Sequence, residues 1–345
     1  MKVSRRFTAA LVVLGVGVLA SGSAVLAGNG SHAATVRVAV VTDIGGLNDK
    51  GFNALSNFGL EKAKVKLGVD GRVFITQTAA DRQPNLVAAV EQGYNLVFGV
   101  GILFAFGPLP TVAKAFPTTT FAGIDVSQGA MGGAVPNVRG IQFKEQEAGC
   151  LVGNIAALEA QRQNKNTISA LGANKVPAIV AFIAGYNFCA KRAYAKVKVL
   201  VNYANDPTFA DQTKCKATAL SQIARGSRVV FAAAGQCGLG ALDAAKEKHV
   251  WGIGVDADQS FLGTHILTSA RKRVDQAVYD TIAEYLKDPA AFKGGIDKTY
   301  DLKNGGVGFG KLSPDLPAAA RRAYAKSANA LARLIIKGEV TPPAE

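Results

Sequence analysis

Short apolar runs alternate with stretches of helical periodicity through most of this chain. The run over 36–41 reads as a buried strand. It stops at Asp43, Gly45 and Gly46 follow, and apolar positions at Phe52, Leu55, Phe58, Leu60 and Ala63 mark a helix over 50–67. The same unit recurs, with strands predicted over 73–76, 95–100, 120–124 and 138–143 and helices over 84–92, 109–115 and 144–160. A second series places strands over 167–171, 199–201, 229–233 and 251–255, and helices over 176–197, 209–225 and 240–248. Repeated strand–helix units with short connections imply parallel sheets with helices on both faces. Two runs alike in length and order imply two α/β lobes. Crossings between lobes are expected near 140–146 and 262–269. A helix over 274–286, a glycine-rich tail over 290–311 read as a short hairpin, and a closing helix over 317–337 complete the chain.

Ahead of the first strand the pattern changes. Lys2, Arg5 and Arg6 precede an apolar run over 9–20 and the small-residue sites Val25-Leu26-Ala27 and Ser31-His32-Ala33. This is the layout of a secretory signal peptide, assigned to residues 1–33. A retained membrane anchor would need about 20 apolar residues, and Ser21 onward interrupts the run. The mature chain is therefore expected outside the cytoplasm, in the periplasm or in the extracellular space or cell envelope. The leader holds no cysteine to carry a lipid. Four cysteines remain, Cys150, Cys189, Cys215 and Cys237, compatible with one or two disulfides in an oxidising compartment or with buried thiols; four allow three full pairings. Their spacing matches no metal-binding pattern.

The length of 345 residues suits two domains, and 49% hydrophobic against 19% charged residues suits sizeable cores. Loss of Lys2, Arg5 and Arg6 with the leader leaves +11 of the formal net charge of +14. No dense Lys/Arg run accompanies that excess, so it reads as a solvated surface, compatible with peripheral membrane association and not with nucleic-acid binding.

Few residues offer catalysis. There are three histidines, and none of the metalloprotease, nucleophile-elbow or phosphate-loop patterns occurs. The acids say more. Asp43, Asp125 and Asp256 each end an apolar strand, so three carboxylates are delivered to the same end of α/β sheets, where ligands bind. Carboxylates accept paired hydrogen bonds from vicinal hydroxyls or a ring N–H. Helix capping is the competing use for each of them. Gly235-Gln236-Cys237-Gly238-Leu239-Gly240 follows a strand and opens a helix; Gly235 and Gly238 either present N–H groups to a ligand or serve packing.

The segment Asp43-Ile-Gly-Gly-Leu-Asn-Asp-Lys-Gly-Phe52-Asn53 resembles the opening motif of the basic membrane protein family, purine-nucleoside receptor-like substrate-binding proteins of ABC transporters. The likeness extends through Phe121-Ala-Gly-Ile-Asp125, Phe182-Ile-Ala-Gly-Tyr186, Gly254-Val-Asp256-Ala-Asp258-Gln259 and Leu267-Thr-Ser-Ala-Arg-Lys272-Arg-Val-Asp275. It implies a type I periplasmic-binding-protein fold: two Rossmann-like lobes, a three-strand hinge and a ligand in the cleft. Lobe 1 is expected over 34–142 plus about 266–300, and lobe 2 over 143–265 plus part of 301–345. By that likeness Phe52 stacks on one face of a base and Tyr203 covers the other. Asp43 and Asn53 read its edge or a hydroxyl, while Asp125, Asp256 and Lys272 hold ribose hydroxyls. The function implied is non-catalytic capture of a nucleoside and delivery to a permease, by a monomer with no metal or cofactor. The alternatives are the same fold holding a sugar, an amino acid or a signalling molecule, and, more remotely, a secreted nucleoside hydrolase using the aspartates with Ca²⁺.

Overall fold

The structure, a computed structural model, describes Thr35–Glu345. The leader expected over 1–33 lies outside the described residues. The first series comprises β1 (Arg37–Val41), α1 (Phe52–Leu67), β2 (Asp70–Phe74), α2 (Arg82–Glu91), β3 (Leu96–Val100), α3 (Pro108–Ala115), β4 (Thr120–Ile124) and β5 (Val138–Phe143). The second opens with α4 (Glu145–Arg162) and β6 (Thr167–Gly172). It continues through α5 (Pro177–Ala193), β7 (Lys198–Tyr203), α6 (Gln212–Ala224), β8 (Val229–Ala233), α7 (Cys237–Glu247), β9 (Trp251–Asp256) and β10 (Ile266–Lys272). The chain ends with α8 (Val274–Lys287), β11 (Ile296–Tyr300), β12 (Val307–Phe309) and α9 (Ala318–Ile336).

Two six-stranded sheets form, ordered β2-β1-β3-β4-β5-β11 and β7-β6-β8-β9-β10-β12. Every pairing is parallel except β10 with β12. Continuous burial suits such sheets: Leu96-Val97-Phe98-Gly99-Val100 is buried throughout, because helices cover both faces. This is the type I periplasmic-binding-protein architecture. The chain crosses between lobes three times, from β5 into α4, from β10 into α8, and from β11 to β12.

Two expectations are corrected here. Ile266–Lys272, expected in the first lobe, pairs with β9 and β12 in the second sheet. Its interior polar residues hide it as a strand; Thr268 and Ser269 are buried, with Thr268 Oγ1 donating to the Gly310 carbonyl and Ser269 Oγ accepting from Gln259 N–H. The glycine-rich tail makes no hairpin either. β11 joins β5 of the first sheet and β12 joins β10 of the second, so this tail is the third crossing.

The cysteines form the pairs Cys150–Cys189 and Cys215–Cys237. The first staples α4 to α5, which pack so closely that a Cβ on Gly149, Gly153 or Gly185 would collide with a carbonyl of the facing helix. Among the described residues no helix is long and apolar enough to cross a membrane.

Candidate functional site

A cleft lies where the carboxyl ends of both sheets face each other, the place where small ligands bind in two-lobe folds. The first lobe contributes Asp43, Ile44, Asp49, Phe52 and Asn53 after β1, Gly101, Ile102 and Leu103 after β3, and Asp125 after β4. The second contributes Val176, Ile179 and Phe182 around the start of α5, Phe209 before α6, and Ala233 to Gln236 after β8. Asp256 closes β9 there and Lys272 closes β10.

The opening loop is held by its own side chains. Asp49 caps α1: Oδ1 accepts from the N–H groups of Gly51 and Ala54 at 3.0 Å each, and Oδ2 from Asn53 N–H at 2.6 Å. Asn53 turns its amide back on the loop, accepting from Asp43 N–H at 3.1 Å and donating to the carbonyls of Asp43 and Ile44 at 3.4 Å each. It therefore positions Asp43 within the cleft wall. Asp43 Oδ1 accepts from Arg82 Nε at 2.8 Å, and Arg82 Nη2 lies 2.7 Å from the same oxygen as an ion pair. Burial raises the Asp43 carboxyl, opposed by Arg82.

Asp125 and Asp256 end the fourth strand of their respective sheets, and both take left-handed backbone angles, φ 61° and 62°. The pseudo-symmetry of the lobes thus brings two equivalent acids to one cleft. Between them stands Lys272, 1% exposed, with Nζ 2.6 Å from Asp125 Oδ2 and 2.8 Å from Glu145 Oε1. The rings of Phe52 and Phe143 lie 5.1 and 4.9 Å from the same ammonium. Asp125 Oδ1 is buried without a partner. The Asp256 carboxylate accepts no hydrogen bond among the described residues, and burial, opposed by Lys272, pushes it up to about 7. Burial likewise pushes Glu145 up to about 7. Burial alone would lower Lys272, but Asp125, Glu145 and Asp256 reverse that and raise it. A wall with unsatisfied carboxylate oxygens beside aromatic rings suits a ligand with hydroxyl donors and a flat apolar face.

These shifts carry a prediction. The folded chain keeps protons on Asp256 and Glu145 near neutrality that the unfolded chain releases above its ordinary carboxylate range. Their stabilising contribution is complete at low pH and is lost as pH rises from about 4 to about 7. The melting temperature of the ligand-free protein is expected to fall between about pH 5 and pH 8, with a shallower fall in Asp256→Asn. Equal slopes in the two proteins would contradict this assignment.

Of the residues expected at the site, Asp43, Phe52, Asn53, Asp125, Gly235, Asp256 and Lys272 line the cleft. Tyr203 and Gly238 do not. Tyr203 ends the edge strand β7 with its ring over its cross-strand partner Gly172, where a Cβ would meet Cδ1 at 2.7 Å. Gly238 packs in the first turn of α7 against Ala232 and Ala234. The second lobe offers Phe182 and Phe209 as its rings instead. Phe209 has φ 58°, a strained value for a bulky residue, and the buried Asp206 organises its loop by accepting from Thr208 and Asp211 N–H groups. No local sequence signal marks that turn. Phe182 and Asp49 lay inside segments that carried the family likeness, whereas Glu145 and Arg82 stood in no motif.

The lobes also touch beside the cleft. Gln259 Nε2 of the second lobe donates to the Lys50 carbonyl of the first at 3.1 Å, and a Cβ on Gly45 would lie 3.2 Å from Gln236 Oε1.

The model of the Bmp family, described as ABC transporter substrate-binding protein PnrA-like, matches residues 36–345, which is the whole of both lobes. The chain belongs to this family. It is 33% identical to the ABC transporter nucleoside-binding protein BmpA of Lactococcus lactis subsp. cremoris, over 93% of this chain and 95% of that one. It is 30% identical to basic membrane protein D of Borreliella burgdorferi over 89% and 87% of the two chains. Among solved structures, an ABC transporter solute-binding protein from Aeropyrum pernix K1 superposes with a TM-score of 0.78 at 28% identity, covering 90% of this chain and 94% of that one. As a Bmp-family member the chain binds a small-molecule solute for an ABC transporter and is not an enzyme. The remote hydrolase reading falls with that assignment.

Proposed function

We propose that this chain captures a nucleoside, a purine one, in the interlobe cleft and delivers it to an ABC permease from outside the cytoplasm. The observation that carries the reading is the unpartnered Asp125 Oδ1 and the open Asp256 carboxylate beside Phe52 and Phe209. Vicinal ribose hydroxyls satisfy the acids, with Lys272 between them, and the base lies among the rings of the two lobes. Phe209 or Phe182 takes the part first given to Tyr203. The relative from L. lactis carries nucleoside binding in its name, which supports the same reading. Export agrees with the leader pattern and with two disulfides, which persist in oxidising compartments. The protein works as a monomer, since one chain supplies both walls of the cleft.

Calorimetric titration with adenosine, guanosine, inosine and uridine tests the proposal. Saturable heat with at least one purine nucleoside is expected, and silence with all four would sink it. Stacking on an aromatic side chain contributes about 1–3 kcal/mol per base. Phe52→Ala is therefore expected to weaken binding roughly 5- to 150-fold. Unchanged affinity in that variant would point instead to a sugar or an amino acid.

A further inference from the structure

The two oxygens of Asp43 stand in different situations. Oδ1 accepts two hydrogen bonds, from Arg82 Nε and from Ile44 N–H, each at 2.8 Å, and is ion-paired with Arg82 Nη2. Oδ2 accepts none among the described residues, and lies beside Gly101, where an added Cβ would come to 3.1 Å. Arg82 is buried at the first position of α2, after a turn closed by reciprocal Thr78 and Asp81 capping bonds that set where its side chain begins. The neighbouring amide of Asn53 is already committed to the loop backbone. Asp43 Oδ2 is thus the side-chain atom on this part of the wall with capacity left for a ligand.

We propose that Arg82 is a specificity-setting residue: by occupying Oδ1 it holds Asp43 as an acceptor-only carboxylate, so the cleft selects heterocycles that present an N–H donor. This rests on the nucleoside reading and narrows it to particular bases. A protonated carboxyl both donates and accepts, and tolerates a ring edge made of acceptors alone. An ionised one meets such an edge lone pair against lone pair, and a buried charged acceptor left unpaired is costly. Arg82 opposes the effect of burial on Asp43. The other ionisable groups lining the cleft are Asp49 on the same loop, Asp125 after β4, Asp256 after β9 and Lys272 after β10, with Glu145 behind Lys272. None of them hydrogen-bonds Asp43 among the described residues. Arg82 is a positioning residue here, acting on the ligand through Asp43.

The test compares inosine, adenosine and purine riboside, whose ring carries no N–H, by calorimetric titration. In the unaltered chain the tighter of inosine and adenosine is expected to bind at least about tenfold better than purine riboside, the usual scale for a hydrogen bond to a charged group. In Arg82→Met that ratio is expected to collapse toward one, and to recover partly as pH is raised and the unsupported carboxyl ionises. Arg82→Lys, which restores a cation, is expected to restore discrimination where a role in bulk packing alone would not. A ratio unchanged in a folded Arg82→Met protein overturns the inference and leaves the nucleoside reading standing. Should that variant not fold, equal affinity of the unaltered chain for purine riboside and for the tighter of inosine and adenosine overturns the inference by itself. Failure of all three nucleosides to bind overturns both.

Discussion

Replacing Lys272 by methionine is expected to abolish ligand capture and to lower the melting temperature by roughly 5–8 °C at neutral pH. The ammonium is buried between Asp125 and Glu145, with Asp256 close enough to act on it. Removing one partner from a buried ion cluster leaves uncompensated charge and costs about 3–5 kcal/mol, whereas replacing the whole cluster by neutral groups of similar size is far milder. Two signatures separate this cause from simple loss of packing. The deficit is expected to shrink as pH falls from about 8 to about 5, because the carboxylates that Lys272 had offset take up protons there. Adding Asp125→Asn and Glu145→Gln to Lys272→Met is expected to return most of the lost stability without restoring binding. Thermal scans of the three proteins at several pH values measure both effects. A single variant within about 1 °C of the unaltered chain would show that the cluster contributes nothing to the fold.

Removing the disulfides is expected to cost nearly as much, in two distinguishable ways. The bridges span sequence separations of 39 and 22 residues. On the chain-entropy account, loops of that size contribute about 3–4 kcal/mol each by constraining the unfolded chain. The paired change Cys150→Ser with Cys189→Ser falls on the α4–α5 contact, away from the ligand, where Leu331 and Ile335 of α9 also pack. It should lower stability and leave affinity intact. The pair Cys215→Ser with Cys237→Ser falls beside the site. Cys237 follows Gly235 and Gln236 in the cleft wall, and its N–H donates to the Phe209 carbonyl at 2.8 Å. That pair should lower stability and also loosen the second-lobe ring, weakening nucleoside binding. Denaturant midpoints and calorimetry on both double variants are the measurement. Equal affinity losses in the two would contradict the placement of Phe209 as a wall of the site.

The periodicity of apolar positions determined by itself that this chain builds parallel sheets wrapped by helices in two similar lobes. It also determined that Asp43, Asp125 and Asp256 arrive at strand ends, because the alternation of buried strands and amphipathic helices is a local property that each segment carries with it. The family likeness placed Phe52 and Lys272 beside them, and both line the cleft. What only the tertiary structure decided depends on which segments meet. A strand with buried Thr268 and Ser269 does not look apolar until the partners of those hydroxyls are in place. Cysteine pairing, the third crossing through the glycine-rich tail, and the link from Arg82 to Asp43 join residues between 22 and 157 positions apart, in several combinations that no local pattern ranks. The second aromatic wall shows the same divide. Tyr203 and Phe209 are six residues apart, and the backbone turn anchored by the buried Asp206 puts Phe209 into the gap while cross-strand packing on Gly172 holds Tyr203 out of it. Local composition sets which residues are apolar; the direction in which a loop presents them is set by hydrogen bonds and packing to distant parts of the chain.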